Sequence, residues 1–172
     1  MSTIPVVLVR RARNLGERGL PAAFSRALVP VAGTPSSRAA TEIAFNLSAN
    51  LGTDVVLTHI IDRNEGDSVL AGLFSPQHDE ESAAAHAVGE AILAKSTAMA
   101  TELGVDAKTA VRSGVSTADE IVSMVDEIEA DLVVMGANLR RLDGRPFLGH
   151  TVEQVLERSD ATVVLVLVPF DL

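Results

Sequence analysis

The stretch Leu132-Val133-Val134-Met135-Gly136 is an apolar run that ends in glycine, and a second glycine, Gly149, follows thirteen positions later. Between the two glycines lies a basic tract, Leu139-Arg140-Arg141-Leu142-Asp143-Gly144-Arg145. The residues after Gly149, His150-Thr151-Val152-Glu153, open a segment with helical periodicity. Strand, glycine, basic tract, glycine and helix in this order predict a phosphate cradle, because small residues admit backbone N–H groups to an anion and the helix start adds positive potential.

The composition limits the classes of function. A chain of 172 residues, of which 47% are hydrophobic, predicts one domain with a sizeable core. A net charge of −9 and only 3% aromatic residues argue against a nucleic-acid partner. The absence of cysteine excludes disulfides and thiolate catalysis, and no apolar run approaches the length of a membrane span. A cytoplasmic protein is therefore expected.

The charge is distributed unevenly along the chain. Residues 1–26 carry a net charge of +4, so the remaining residues carry −13. We therefore predict two parts: residues 1–25 form a basic N-terminal arm or linker, and residues 26–172 form the folded domain. Within the arm, the apolar run Val6–Val9 is expected to add a sixth strand or to serve as a tether.

Strand and helix patterns alternate through the domain. The helix after the first strand is expected to begin at Ser36 or Ser37, the second runs from about Asp79 to Leu103, and Ser116 caps the third. This alternation predicts an α/β fold with a parallel sheet, right-handed crossovers and helices on both faces. Ligands of such sheets bind at the carboxyl ends of strands, so the loops after strands one and four should flank the site. The five predicted strands are Arg26–Val31, Asp54–Ile61, Ala107–Arg112, Asp131–Met135 and Thr162–Val168.

With these elements assigned, the chain resembles a universal stress protein domain over about residues 26–170. The segments that carry the resemblance are Leu28-Val29-Pro30-Val31 with Gly33-Thr34, Thr58-His59-Ile60-Ile61-Asp62, Ala130 to Gly136, Phe147-Leu148-Gly149, and Thr162 to Val166. The resemblance implies a flavodoxin-like, three-layer α/β/α fold with five parallel strands in the order 3-2-1-4-5. It also implies a homodimer in which the last strands, Thr162–Val168, pair antiparallel.

The resemblance further implies binding of ATP or AMP, with magnesium, through a Gly-x2-Gly-x9-Gly-Ser/Thr motif. Three positions depart from that motif and its pocket: Leu139 stands for the second glycine, His150 for the Ser/Thr, and Ala32 for an acidic residue. Arg140 and Arg141 are added as phosphate contacts. The alternative is a surface loop whose arginines are solvated. The pocket residues implied by the resemblance are Pro30, Ala32, Ile60, Met135, Gly136, Leu139, Gly149, His150, Thr151 and Val152.

The resemblance therefore implies a dimeric regulatory domain in stress response that senses an adenine nucleotide, and the sequence offers no catalytic residue and no metal site. One alternative is the cytoplasmic regulatory domain of a membrane transporter, such as a cation/proton antiporter, with the basic arm against anionic lipid. Another is a dimeric scaffold that binds no nucleotide. The uncharged apolar strand Thr162–Val168 needs a cover, which is either a second copy of the chain or the N-terminal segment.

Overall fold

The computed structural model describes residues 6–12, 23–63, 76–142 and 144–168, with the backbone alone for residues 76–82. The strands in these ranges are β1 (Val6–Arg10), β2 (Arg26–Pro30), β3 (Asp54–Asp62), β4 (Ala107–Gly114), β5 (Leu132–Ala137), β6 (Arg140–Leu142), β7 (Arg145–Phe147) and β8 (Thr162–Leu167). The helices are α1 (Pro35–Leu51), α2 (Pro76–Glu102), α3 (Thr117–Glu127) and α4 (His150–Arg158).

Six strands form one sheet in the order β1-β8-β5-β2-β3-β4. The five strands β2, β3, β4, β5 and β8 are parallel to one another. They stand in the order predicted for the five sequence strands. Helices α1 and α2 cover one face, and α3 and α4 cover the other. The three-layer α/β/α class is therefore confirmed.

The five predicted parallel strands are confirmed, and the N-terminal run adds a sixth strand, one of the two roles expected for Val6–Val9. β1 pairs antiparallel with β8, with Val6 opposite Leu167 and Arg10 opposite Val163. The guanidinium of Arg10 donates to the Ser159 carbonyl at 2.8 Å, which fixes one end of the strand. Without β1, the apolar strand β8 would be at the edge of the sheet, and its outward N–H and C=O groups would lack hydrogen-bond partners. Pairing with β1 provides those partners. Within one chain, the N-terminal segment thus covers the last strand.

The core is aliphatic, as the composition predicts. On the α1–α2 side, Phe45 is fully buried, and on the other side Ile121 and Met124 of α3 are at most 2% exposed. The central strands are buried on both faces, which explains their near-continuous apolar sequence. Although α2 extends over 27 residues, none of the helices in the described ranges is both long and apolar enough to cross a bilayer.

The start of α1 differs from the prediction. Thr34, not Ser36 or Ser37, is the N-cap, and its hydroxyl accepts a hydrogen bond from the Ser37 N–H at 3.2 Å. Pro35 occupies the first turn, where its missing N–H costs nothing, and this shifts the cap to the residue before it. The predicted cap of α3 is confirmed, since the Ser116 hydroxyl accepts from the Asp119 N–H at 3.2 Å.

The basic tract between the two glycines forms a β-hairpin. Strands β6 and β7 pair antiparallel, with Arg140 opposite Phe147 and Leu142 opposite Arg145. Gly144 adopts a φ of 78° in the turn, a conformation that glycine accepts readily. The arginines are therefore held at defined positions of a small sheet.

Candidate functional site

The predicted site residues lie on elements that meet at one edge of the sheet. Because the strands are parallel, β2, β3 and β5 end at the same edge, and α4 begins there. Their role in binding stays a prediction. The predicted residues occupy the end of β2 (Pro30, Ala32), the end of β3 (Ile60), the end of β5 (Met135, Gly136), the hairpin (Leu139, Arg140, Arg141) and the start of α4 (Gly149, His150, Thr151, Val152).

Gly136 is the point where β5 touches the first turn of α1. A Cβ added at Gly136 would lie 2.3 Å from both the Ser36 carbonyl carbon and the Ser37 amide nitrogen. Those are backbone atoms of a helix, so they have no rotamer through which to move away. Packing between β5 and α1 is therefore a sufficient reason for this glycine.

Two predicted pocket residues belong to the core. Met135 is 4% exposed and Val152 is 7% exposed, and both lie in the apolar cluster beneath α3 and α4. Neighbouring residues of a strand point to opposite faces, so Met135 faces this cluster while Gly136 faces α1. Met135 and Val152 thus support the site from below.

The start of α4 offers backbone donors. Gly149 precedes the helix with a φ of 101°, and no side chain caps the helix through a hydrogen bond. The Glu153 carboxylate bends back to the Leu148 N–H at 3.4 Å, which is upstream of the helix. The first N–H groups of a helix have no partner within it. With no capping side chain, those of α4 remain donors for an anion, assisted by the helix dipole.

The hairpin divides the arginines between its two faces. Residues paired across an antiparallel ladder share a face, and successive residues alternate. Arg140 and Arg145 therefore lie on the same face as Phe147, whereas Arg141 lies on the opposite face, with Pro146. All three arginines are exposed. Sequence reasoning treated Arg140 and Arg141 as equivalent, and the hairpin register separates them.

An aromatic contact joins the hairpin to α4. The ring of Phe147 meets the ring of His150 edge-on, with centroids 4.9 Å apart and an interplanar angle of 69°. Arg140 is the cross-strand neighbour of Phe147, so this contact brings the Arg140 face toward the start of α4. Leu139 stays 54% exposed at the base of the hairpin.

Two polar contacts that the sequence did not reveal position the loop after β2. The Ala32 N–H donates to the buried Ser37 hydroxyl at 2.9 Å. The Nδ1 atom of His59, a residue of β3, lies 2.8 Å from the Val31 carbonyl oxygen, which identifies Nδ1 as the protonated nitrogen. His59 is thus a positioning residue for this loop. Its sequence signal was a histidine in an apolar strand, which also fits an ordinary core residue.

The residues fit a nucleotide at the phosphate end better than at the nucleoside end. Uncapped N–H groups of α4 and the Arg140 guanidinium suit phosphate oxygens. Ala32 has no side-chain acceptor for a ribose or adenine. The predicted residues contain no carboxylate, so magnesium would depend on phosphate oxygens and water for most of its ligands.

The fold and site define a doubly wound α/β domain of the class that binds ligands at the carboxyl ends of its strands. Residues 23–166 match the model of the universal stress protein family. The chain belongs to this family, which confirms the resemblance. It is 28% identical over 166 residues to a universal stress protein of Methanocaldococcus jannaschii, a match that covers 94% of this chain and 88% of the relative.

Solved structures support the same fold. A hypothetical protein whose biochemical function was assigned from its structure superposes with a TM-score of 0.71 at 18% identity, over 86% of this chain and 99% of that chain. A universal stress protein in complex with cAMP superposes with a TM-score of 0.60 at 22% identity, over 86% of this chain and 100% of that chain. At such identities these likenesses concern the fold alone.

Proposed function

We propose that this protein is a regulatory domain in stress response that binds an adenine nucleotide, ATP or AMP, with the phosphates at the start of α4. The observation that carries the proposal is the uncapped N-terminus of α4 behind Gly149, whose φ of 101° suits glycine. The cAMP complex of a universal stress protein with the same fold supports the choice of an adenine nucleotide.

The affinity should come mainly from the phosphates. The α4 donors and Arg140 act on negative charge, whereas Ala32 contributes only a methyl group to the nucleoside end. We therefore expect ATP to bind more tightly than AMP, and adenosine to bind weakly. Magnesium would bind to the phosphate oxygens of ATP and would enter the site together with it.

The proposed role is binding and regulation, without efficient turnover. General-base catalysis requires a side chain within hydrogen-bond reach of the attacking water. Among the predicted residues only His150 has suitable chemistry, and its ring is engaged edge-on by Phe147. The regulatory signal would then be whether a nucleotide occupies the site at α4, and hydrolysis would not be required.

Calorimetric titration of the full chain with ATP, AMP, adenosine and tripolyphosphate tests the proposal. ATP and tripolyphosphate should bind, and adenosine should bind much more weakly. His150→Asp is an informative variant, because a carboxylate in the first turn stabilises a helix while it repels a phosphate. We expect this variant to keep or gain thermal stability and to lose ATP binding. ATP binding that is absent at millimolar concentration, or unchanged in His150→Asp, contradicts the proposal.

A dimeric scaffold without nucleotide is the second candidate. Three positions favour this second candidate, because none of them offers a polar side chain to a ligand. Gly136 packs directly on the backbone of α1, and Ala32 and Leu139 are apolar. The homodimer through Thr162–Val168 belongs to both candidates, and it requires β1 to leave the outer edge of β8. A cytoplasmic location, and contact of the basic arm with a transporter or a membrane surface, remain predictions.

A further inference from the structure

Helices α1 and α2 lie apart and leave a groove of about 810 Å³ on their side of the sheet. Its walls are the loop after β2 with the first turn of α1, and the middle and end of α2. Of the twelve predicted site residues only Ala32 lines it, so the groove is distinct from the start of α4. This volume is within the range of small-molecule sites, roughly 300–1,000 Å³.

The hydroxyl of Ser96, a largely buried residue of α2, opens on this groove. Ser96 of α2 is 8% exposed, and its hydroxyl makes no hydrogen bond to the residues that the structure describes. Its neighbours behave differently: the Thr97 and Thr101 hydroxyls each donate to the carbonyl one turn earlier at 3.0 Å. The Ser96 hydroxyl is therefore open to the groove, where water or the polar group of a ligand can bond to it.

Two exposed cations, Arg38 of α1 and Lys95 of α2, line opposite walls of the groove. Lys95 lies one turn after Ile92, which lies under Gly33: a Cβ at Gly33 would be 3.6 Å from Ile92 Cδ1. Arg38 lies one turn into α1, and α1 and α2 run in the same direction as crossovers of a parallel sheet. Lys95 forms no ion pair in the described part of the chain, and Arg38 pairs with Glu42 at 3.1 Å.

The remainder of the groove is apolar and ends in a negative charge. Ile92, Ser96 and Met99 recur at helical spacing on one face of α2, and Glu102 follows one turn below Met99. Ile92 and Met99 are half-buried against the core. Glu102 would repel a second anionic group, so the lining suits one negative head and an apolar body.

We propose that the α1–α2 groove binds a small organic carboxylate with an apolar body. The carboxylate lies between Arg38 and Lys95 and accepts a hydrogen bond from the Ser96 hydroxyl. The apolar body lies along Ile92 and Met99. This site shares Ala32 with the nucleoside end of the proposed nucleotide site, but it uses none of the phosphate donors of α4.

Octanoate binding to the full chain, followed by calorimetry and by methyl NMR of Ile92 and Met99, tests the proposal, with 1-octanol as the uncharged probe. Octanoate should bind with one site per chain, and octanol should bind about tenfold more weakly or worse. Lys95→Glu should weaken octanoate by about tenfold or more, while Lys108→Glu, the same change on the exposed surface of β4, should not.

Ser96→Ala separates a ligand role from a structural one. Because its hydroxyl has no partner, its removal should leave thermal stability unchanged or raised, and should weaken octanoate several-fold. Arg140→Ala should leave octanoate binding intact, which keeps this test apart from that of the nucleotide site. Equal binding of octanoate and octanol, equal effects of Lys95→Glu and Lys108→Glu, or no binding at millimolar octanoate would overturn the proposal.

Discussion

Gly136 of β5 lies so close to Ser36 of α1 that a Cβ at position 136 would stand 2.3 Å from the Ser36 carbonyl carbon. Gly136, the first glycine of the predicted phosphate-binding segment, is therefore required for packing, independently of any role in ligand binding. Its hydrogen lets the first turn of α1 rest directly on the strand. This contact also sets the position of the loop between Ala32 and Thr34, since Ser37 of the same turn holds the Ala32 N–H.

Gly136→Ala should destabilise the protein by about 1–3 kcal/mol, the usual cost of overpacking a filled interior. The methyl group would press on helix backbone, so relief requires α1 to shift away from β5. Equilibrium unfolding in urea measures the change, and a constant slope would show that the denatured state is unaffected.

The double variant Ser36→Ala/Gly136→Ala is the control for that prediction. The overlap is with the backbone of Ser36, so trimming its side chain should restore no stability. If the double variant is as stable as Ser36→Ala alone, the steric explanation is wrong.

Arg140→Ala should weaken binding of ATP by about tenfold or more, the scale of one charge-assisted hydrogen bond to phosphate. Arg140 shares its hairpin face with Phe147, which contacts His150 at the start of α4. Arg141→Ala is the matched control, because it removes the same charge from the opposite face and should have a small effect. Calorimetry at low and moderate salt would measure both.

Equal losses in the two arginine variants would show that the hairpin acts only through its net charge. That outcome would contradict the proposed orientation of the hairpin toward α4. A loss of ATP affinity that disappears at moderate salt would also indicate an effect of net charge alone. Exposed charges are screened over about 8 Å at physiological ionic strength.

The order of the parallel strands could be predicted because each strand is an apolar run between turn residues. The sixth strand was harder to predict. Val6–Val9 is equally apolar, but its partner β8 lies more than 150 residues away, and pairing over such a distance has no local signal. The helix start at Thr34 was missed for a local reason, since Pro35 in the first turn moves the cap back by two or three residues from Ser36 or Ser37.

The site could be predicted as a set of residue positions but not as a surface. Spacing identified Gly136 and Gly149, yet it could not show that one packs on α1 and the other precedes an uncapped helix. Arg140 and Arg141 are adjacent in sequence, and only the hairpin register assigns them to different faces. The α1–α2 groove depends on the separation of two helices, which periodicity does not report.

Removal of residues 1–10 should increase the self-association of the protein. Without β1, the outer edge of β8 would present a row of unpaired N–H and C=O groups flanked by apolar side chains. Sedimentation velocity should then detect a larger share of dimers or larger species than for the full chain at the same concentration. Removal of residues 1–5 alone is the matched control, since it leaves β1 in place.

A monomeric truncated protein would contradict the role of β1 as the cover of β8. A full chain that already sediments as a dimer would instead indicate that β1 leaves β8 or pairs with another copy. Hydrogen exchange at Val163 and Leu165 would distinguish these two cases, since their amides point away from β5 toward β1, and displacement without replacement exposes them.

The stability of the α3–α4 layer should depend on pH through Asp119. The Arg158 guanidinium donates a hydrogen bond to the Asp119 carboxylate and lowers its pKa below the ordinary value of 3.8. Desolvation opposes this shift, and the Arg158 charge and a hydrogen bond from Ser116 add to it. A carboxyl whose pKa is lower in the folded state contributes stability above the unfolded pKa and loses it as the pH falls through the folded pKa. Asp119→Asn should therefore be less stable than the parent at neutral pH, and the difference should vanish at pH values below the folded pKa.

Asp126→Asn removes the same charge from the same helix, and Asp126 forms no ion pair in the described part of the chain, so it is the matched control. Urea unfolding at a series of pH values compares the three proteins. Both residues of the Asp119–Arg158 pair are about half exposed, so the effect should be small and should decrease in high salt. The difference in unfolding free energy between Asp119→Asn and the parent could instead stay constant down to low pH. That result would show that Asp119 acts through packing or helix capping, and would contradict a charge interaction between α3 and α4.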